Sequence, residues 1–175
     1  KALTVSNVTA DEKVYDAGLV AALNLGTAAF VGVLGGDTVT IDTTGASGAF
    51  ADKHVGSAKT VTVSGIGKTG ADAGNYSITQ PTTTANITAR PLTITAATDT
   101  KVYNATQSSV GVPTLTSGLL QGSDSVTWTQ SFDNKNVGSG KTLTPAGVVS
   151  DGNSGNNYSY TYTPVATGVV TAKAL

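Results

Sequence analysis

Cysteine and methionine are absent from these 175 residues, and histidine and tryptophan each occur once. Without thiols there is no disulfide staple, no thiolate nucleophile and no Cys-based metal site. Losing both sulfur side chains also removes the two most oxidation-prone groups, which suits a long-lived surface structure. Charge is sparse as well, with 12% of residues charged and a net charge of −1. Neutralising phosphates takes a basic footprint, so nucleic acid is not an expected partner. No apolar run approaches the roughly 20 residues of a membrane helix, so no membrane insertion is expected. Glu, Lys and Leu are too few to build helices. The bulk is Thr, Gly, Ala, Val and Ser, and a 39% hydrophobic content favours packed strands over disorder.

What is present is said twice. Lys13-Val14-Tyr15-Asp16-Ala17 returns as Lys101-Val102-Tyr103-Asn104-Ala105. Phe50-Ala51-Asp52-Lys53-His54-Val55-Gly56 returns as Phe132-Asp133-Asn134-Lys135-Asn136-Val137-Gly138, and Gly74-Asn75-Tyr76-Ser77 as Asn156-Asn157-Tyr158-Ser159. Such self-similarity means tandem modules of roughly 85 residues, here residues 1–90 and 91–175, each large enough to bury its own core. Lys1-Ala2-Leu3, Arg90-Pro91-Leu92 and Lys173-Ala174-Leu175 share one pattern at the two ends and the midpoint. With neither an initiator Met nor a signal peptide, the chain is expected to be a piece from inside a longer array.

Short segments alternate apolar with small polar residues: Leu3–Ser6, Thr38–Ile41, Thr60–Val63 and Tyr76–Thr79, then Leu92–Thr95, Val126–Thr129, Thr142–Thr144 and Tyr158–Tyr162. Period-2 alternation with Gly-rich turns between predicts an all-β module of antiparallel strands, either β-sandwich-like or β-grasp-like. Ala17–Phe30 has Ala and Leu enough for a helix, but its counterpart carries Gly111 and Pro113, so strand or loop is expected. At the junction, Arg90-Pro91 reads as a two-residue extended joint, and two modules so joined would stand end to end as a rod.

These motifs, together with Leu34-Gly35-Gly36-Asp37-Thr38-Val39, Lys59-Thr60-Val61, Gly70–Tyr76 and Ile87–Thr93, resemble the YDG-type repeat. That repeat stands in tandem in very large bacterial secreted adhesins of the filamentous-haemagglutinin-like kind. The third residue of the name-giving motif is Ala17 or Ala105 rather than Gly, which argues against a tight positive-φ turn there. The resemblance implies a stalk that carries an adhesive tip away from the cell. It also implies secretion or display on the bacterial surface, neighbouring repeats as partners, and no catalytic residues.

Side chains that could carry chemistry are few. His54 aligns with Asn136, so a catalytic or metal role would exist in one module only, and a turn residue is the expectation. Asp151, Asn153, Asn156 and Asn157 form the best oxygen cluster for calcium, with Asp72 and Asn75 as a weaker counterpart, although such clusters are also ordinary turn chemistry. Lys13 with Asn75, or Lys101 with Asn157, could form a Lys–Asn isopeptide crosslink if buried together. Tyr15, Tyr103, Tyr76 and Tyr158 recur in place, which points to core packing with their hydroxyls tied to backbone. Trp128 has no aromatic counterpart and is the expected contact if a module binds a glycan or a host or matrix protein. Thr-x-Thr pairs are too irregularly spaced for an ice-binding ladder. The expected entity is therefore a monomeric, non-enzymatic spacer with no cofactor.

Overall fold

Alternation of Thr with β-branched and aromatic residues has its expected consequence in the computed structural model, which describes residues 1–174. The chain is almost wholly β, and its one helical element among the described residues is a 3-10 turn at Ala73–Asn75. One compact unit comprises Lys1–Thr88 and a second begins at Ala89. The last residue of the third terminal echo, Leu175, lies outside the described residues.

The first unit contains β1 (Ala2–Ser6), β2 (Thr9–Ala10), β3 (Lys13–Val14), β4 (Val20–Ala21), β5 (Leu23–Asn24) and β6 (Ala29–Val31). It continues with β7 (Thr40–Asp42), β8 (Ser47–Phe50), β9 (Gly56–Ser64), β10 (Gly67–Thr69), β11 (Ser77–Ile78) and β12 (Thr82–Thr88). They form a three-stranded sheet ordered β11-β1-β6, a five-stranded sheet ordered β3-β12-β9-β8-β4, and two small ribbons, β10-β7 and β2-β5. The second unit contains β13 (Arg90–Thr95), β14 (Thr100–Val102), β15 (Thr114–Ser117), β16 (Thr129–Phe132), β17 (Gly138–Ala146), β18 (Tyr158–Thr163) and β19 (Val165–Thr171). Its sheets are ordered β15-β13-β18 and β14-β19-β17-β16. The two units repeat the same pairings: β1 with β11 and β6 corresponds to β13 with β18 and β15, and β12 with β3 and β9 corresponds to β19 with β14 and β17.

The sheets are mixed, not purely antiparallel. β1 runs parallel to β11, β3 to β12, β13 to β18 and β14 to β19. In each case the partner lies far along the chain, so the intervening strands serve as the crossover that a parallel pair requires. Strand faces follow the pattern: in β9 Val61 and Val63 are buried while Thr60 and Thr62 are exposed. Leu3, Tyr15, Phe50, Val61, Ile87 and their neighbours make the first core, and Leu92, Ile94, Phe132, Leu143 and Val170 belong to the second. Each such side chain contributes about 1.5–3 kcal/mol by leaving water.

Some local expectations change. Arg90 and Pro91 are not a joint but the first residues of β13, opposite Tyr158 and Ser159, so only Ala89 separates β12 from β13. Proline is tolerated there because the β15 side of β13 is paired only from Thr93 onward. Val126–Trp128 lies outside any strand, and β16 starts at Thr129. Ala17 and Ala105 do adopt positive φ, at 61° and 64°. By contrast, Ala17–Phe30 contains β4, β5 and most of β6, as its Gly- and Pro-bearing counterpart suggested.

Candidate functional site

Each unit carries the same set of polar tethers, built from the residues that recur in sequence. Lys13 opens β3, and its Nζ donates to Asp16 Oδ1 at 2.8 Å and to the Gly18 carbonyl at 2.8 Å. The same ammonium stands 5.3 Å from the centre of the Phe50 ring. Lys101, in β14, repeats the arrangement. Its Nζ donates to the carbonyls of Thr106 at 2.6 Å and Ser108 at 2.9 Å, and stands 5.0 Å from the centre of the Phe132 ring. A cation over an aromatic face adds roughly 0.5–1 kcal/mol and fixes the turn against the core. Asp16 Oδ1 also accepts the Gly18 N–H at 2.9 Å, while Asn104 Oδ1 accepts the Thr106 N–H at 3.2 Å. Both are side-chain-capped turns, and each places the next residue, Ala17 or Ala105, at positive φ.

A second tether closes the bend after β8 and β16. Asp52 Oδ1 accepts the His54 N–H at 2.8 Å and a proton of Lys59 Nζ at 2.7 Å. Asn134 Oδ1 accepts the Asn136 N–H at 3.1 Å and a proton of Lys141 Nζ at 2.6 Å. The bond to the acceptor uses only the backbone N–H of His54, which is why Asn136 can replace it. Partial burial opposes the charge on Asp16, but the Lys13 ammonium and the Gly18 N–H outweigh it and hold that carboxyl below its usual range. Lys59, with the His54 N–H, does the same for Asp52.

The third tether involves a buried tyrosine. Tyr76 donates its hydroxyl to Asp37 Oδ2 at 2.6 Å and accepts the Leu34 N–H at 3.0 Å. Tyr158 donates to Asp124 Oδ2 at 2.7 Å and accepts the Gln121 N–H at 2.8 Å. Leu34-Gly35-Gly36-Asp37 and Gln121-Gly122-Ser123-Asp124 are therefore equivalent turns, each pinned by one phenol. Recurrence located these two tyrosines in the core, where their hydroxyls give their protons to carboxylates and accept a backbone N–H. The hydrogen bond to the Asp37 carboxylate pushes the Tyr76 hydroxyl above its ordinary pKa. Of the other recurring pair, Tyr15 is fully buried and Tyr103 packs half-buried against the Phe132 and Leu143 cluster.

Three arrangements belong to the second unit alone. Asp151 is 3% exposed, and its carboxylate accepts N–H groups from Asn153 at 2.7 Å, Gly155 at 2.8 Å and Asn157 at 3.0 Å. Burial penalises the charge, yet these donors hold the carboxyl below its usual range. Asn153 Nδ2 donates to Asn157 Oδ1, and Asn156 Nδ2 to the Asn153 carbonyl. The four residues considered for calcium thus come together as a loop in which N–H dipoles face the carboxylate, where a cation would otherwise approach. Asp72, their suggested counterpart, accepts the Thr38 N–H instead.

Gln130 forms the second. Its amide bonds both the N–H and the carbonyl of Ala97 at 2.8 Å and also reaches Ser109 Oγ, which donates to Asp99 Oδ2 at 2.5 Å. In the first unit Gly48 takes this place, and a Cβ there would meet Leu23 at 2.7 Å. A polar clamp in one copy replaces an apolar contact in the other, a substitution that motif matching does not show.

The third is aromatic. Trp128 meets Tyr160 edge-on, with ring centres 6.4 Å apart, and Tyr160 stacks on Tyr162 at 6.0 Å. All three are half-buried. Tyr160 donates to the Gly155 carbonyl and Tyr162 to the Gly147 carbonyl, so the hydroxyls hold the rings to the loop between β17 and β18. The lysine and asparagine pairs weighed for a crosslink are engaged elsewhere: Lys13 and Lys101 are bonded within their own turns, and Asn157 lies in the Asp151 loop.

The family model of the YDG domain matches residues 1–85 and again residues 88–166. No curated protein and no solved structure matches the chain.

Proposed function

The chain belongs to the YDG domain family, and from that premise we propose that its two modules are spacer repeats in the stalk of a large bacterial adhesin, secreted or held at the cell surface. One observation carries the reading: two motif carboxylates of the first unit, Asp16 and Asp52, are the amides Asn104 and Asn134 in the second, with equivalent turn-closing hydrogen bonds, while the carboxylate that recurs, Asp37 or Asp124, is taken up by a tyrosine hydroxyl. An acid–base catalyst or a metal ligand depends on a carboxylate's charge, whereas a turn-closing acceptor needs only its oxygen. The recurring side chains are spent on holding turns to sheets. Neighbouring repeats of the same chain are the expected partners, and the chain acts as a monomer without cofactor.

Binding of the two-module chain to glycans and matrix proteins tests this, with Trp128→Ala beside it. A spacer gives no saturable binding. Saturable binding that Trp128→Ala removes would overturn the spacer reading in favour of an adhesive module. That second reading, recognition of a glycan or of a host or matrix protein, draws on the cluster of Trp128, Tyr160 and Tyr162 rings in the second unit.

A further inference from the structure

Five Asn-x-Ser/Thr triplets occur in the sequence, at Asn7, Asn75, Asn86, Asn104 and Asn157, and the structure treats them differently. Such a triplet is an acceptor for sugar on its Asn amide nitrogen, provided that nitrogen is accessible. Asn157 is 0% exposed and bonded to Asn153, which withholds it. Asn7 spends its Nδ2 on the Thr27 carbonyl, and Asn86 lies within β12 with its Oδ1 on the Ala58 N–H. Asn75 is exposed, but its Ser77 is held in β11 against Ala2.

Asn104 differs from all four. It is exposed, and its Oδ1 accepts both the N–H and, at 2.9 Å, the hydroxyl of Thr106, the third residue of its own triplet. The hydroxyl draws on the amide oxygen, while Nδ2 donates to no acceptor among the described residues. Beside it lies an open surface depression lined by Val102, Tyr103, Asn104, Ala105 and Lys173.

We propose that Asn104 is an N-glycosylation site, taking a sugar from a glycosyl diphosphate donor through a partner glycosyltransferase. The bond between Nδ2 and the anomeric carbon forms as the bond from that carbon to the diphosphate oxygen breaks. The diphosphate leaves with the bonding pair, and Nδ2 gives one proton to a base of the transferase. The equivalent turn of the first unit holds Asp16 and Gly18, with neither amide nor hydroxyl, so that turn stays unmodified.

The test treats the folded chain with UDP-glucose and a transferase that reads Asn-x-Ser/Thr, followed by intact mass and peptide fragmentation. The expected result is a hexose on Asn104 and none on Asn157, lost in Asn104→Gln and Thr106→Ala and retained in Thr106→Ser. The denatured chain serves as the control that the transferase reads these triplets. An unmodified Asn104 in the folded chain, alongside modification of the denatured one, would overturn the proposal. So would equal modification of Asn104 and Asn157 while folded.

Discussion

Ala17 and Ala105 occupy a conformation that costs an L-residue about 1–2 kcal/mol. Glycine relieves that cost but adds unfolded-state entropy, so Ala17→Gly and Ala105→Gly are each expected to stabilise their module by about 0.5 kcal/mol in urea unfolding. Alanine gives no sequence signal of positive φ, and the strain is visible only in the backbone itself. At Asp52 the carboxyl charge matters little. Asp52→Asn should move the urea midpoint no more than an ordinary surface substitution, within about 0.5 kcal/mol, because Asn134 already makes the same bonds in the second unit. Asp151→Ala is the opposite case, since it strands three N–H groups around a buried position, and a loss of about 2–4 kcal/mol is expected.

Among the elements, strand periodicity was legible wherever one face meets a core, as in β9 and β17. Partner choice was not, because alternation of side chains is the same in parallel and antiparallel pairs. The tyrosine tethers were half legible: recurrence marked Tyr76 and Tyr158, but nothing in the pattern tied them to Asp37 and Asp124. Tyr158→Phe removes one hydrogen bond to the carboxylate and one from Gln121, and should lower the second unit's stability by about 1–3 kcal/mol, read as an earlier urea midpoint. Gln130 was missed entirely, since a Gly in one copy and a Gln in the other look like drift until their neighbours are seen.

For the whole molecule, the repeat and its family were legible from the motifs, and the shared strand pairings of the two units follow from them. Acid should distinguish the units. Asp99 and Asp151 are buried in the second, where burial penalises their charge but hydrogen-bond donors outweigh it and hold both carboxyls below their usual range. A depressed carboxyl contributes stability above its unfolded pKa that is lost as pH falls through the folded one. The depressed carboxyls of the first unit are Asp16, Asp42 and Asp52; none is buried, and water screens what they contribute. The second unit should therefore lose stability faster than the first below about pH 4, followed by thermal unfolding across a pH series.

The spacer reading itself is tested most directly by small-angle X-ray scattering of the two-module chain, with and without calcium. A spacer with the single residue Ala89 between β12 and β13 predicts one fixed separation between its modules, unchanged by calcium. A broad spread of separations, or stiffening that depends on calcium, would contradict it.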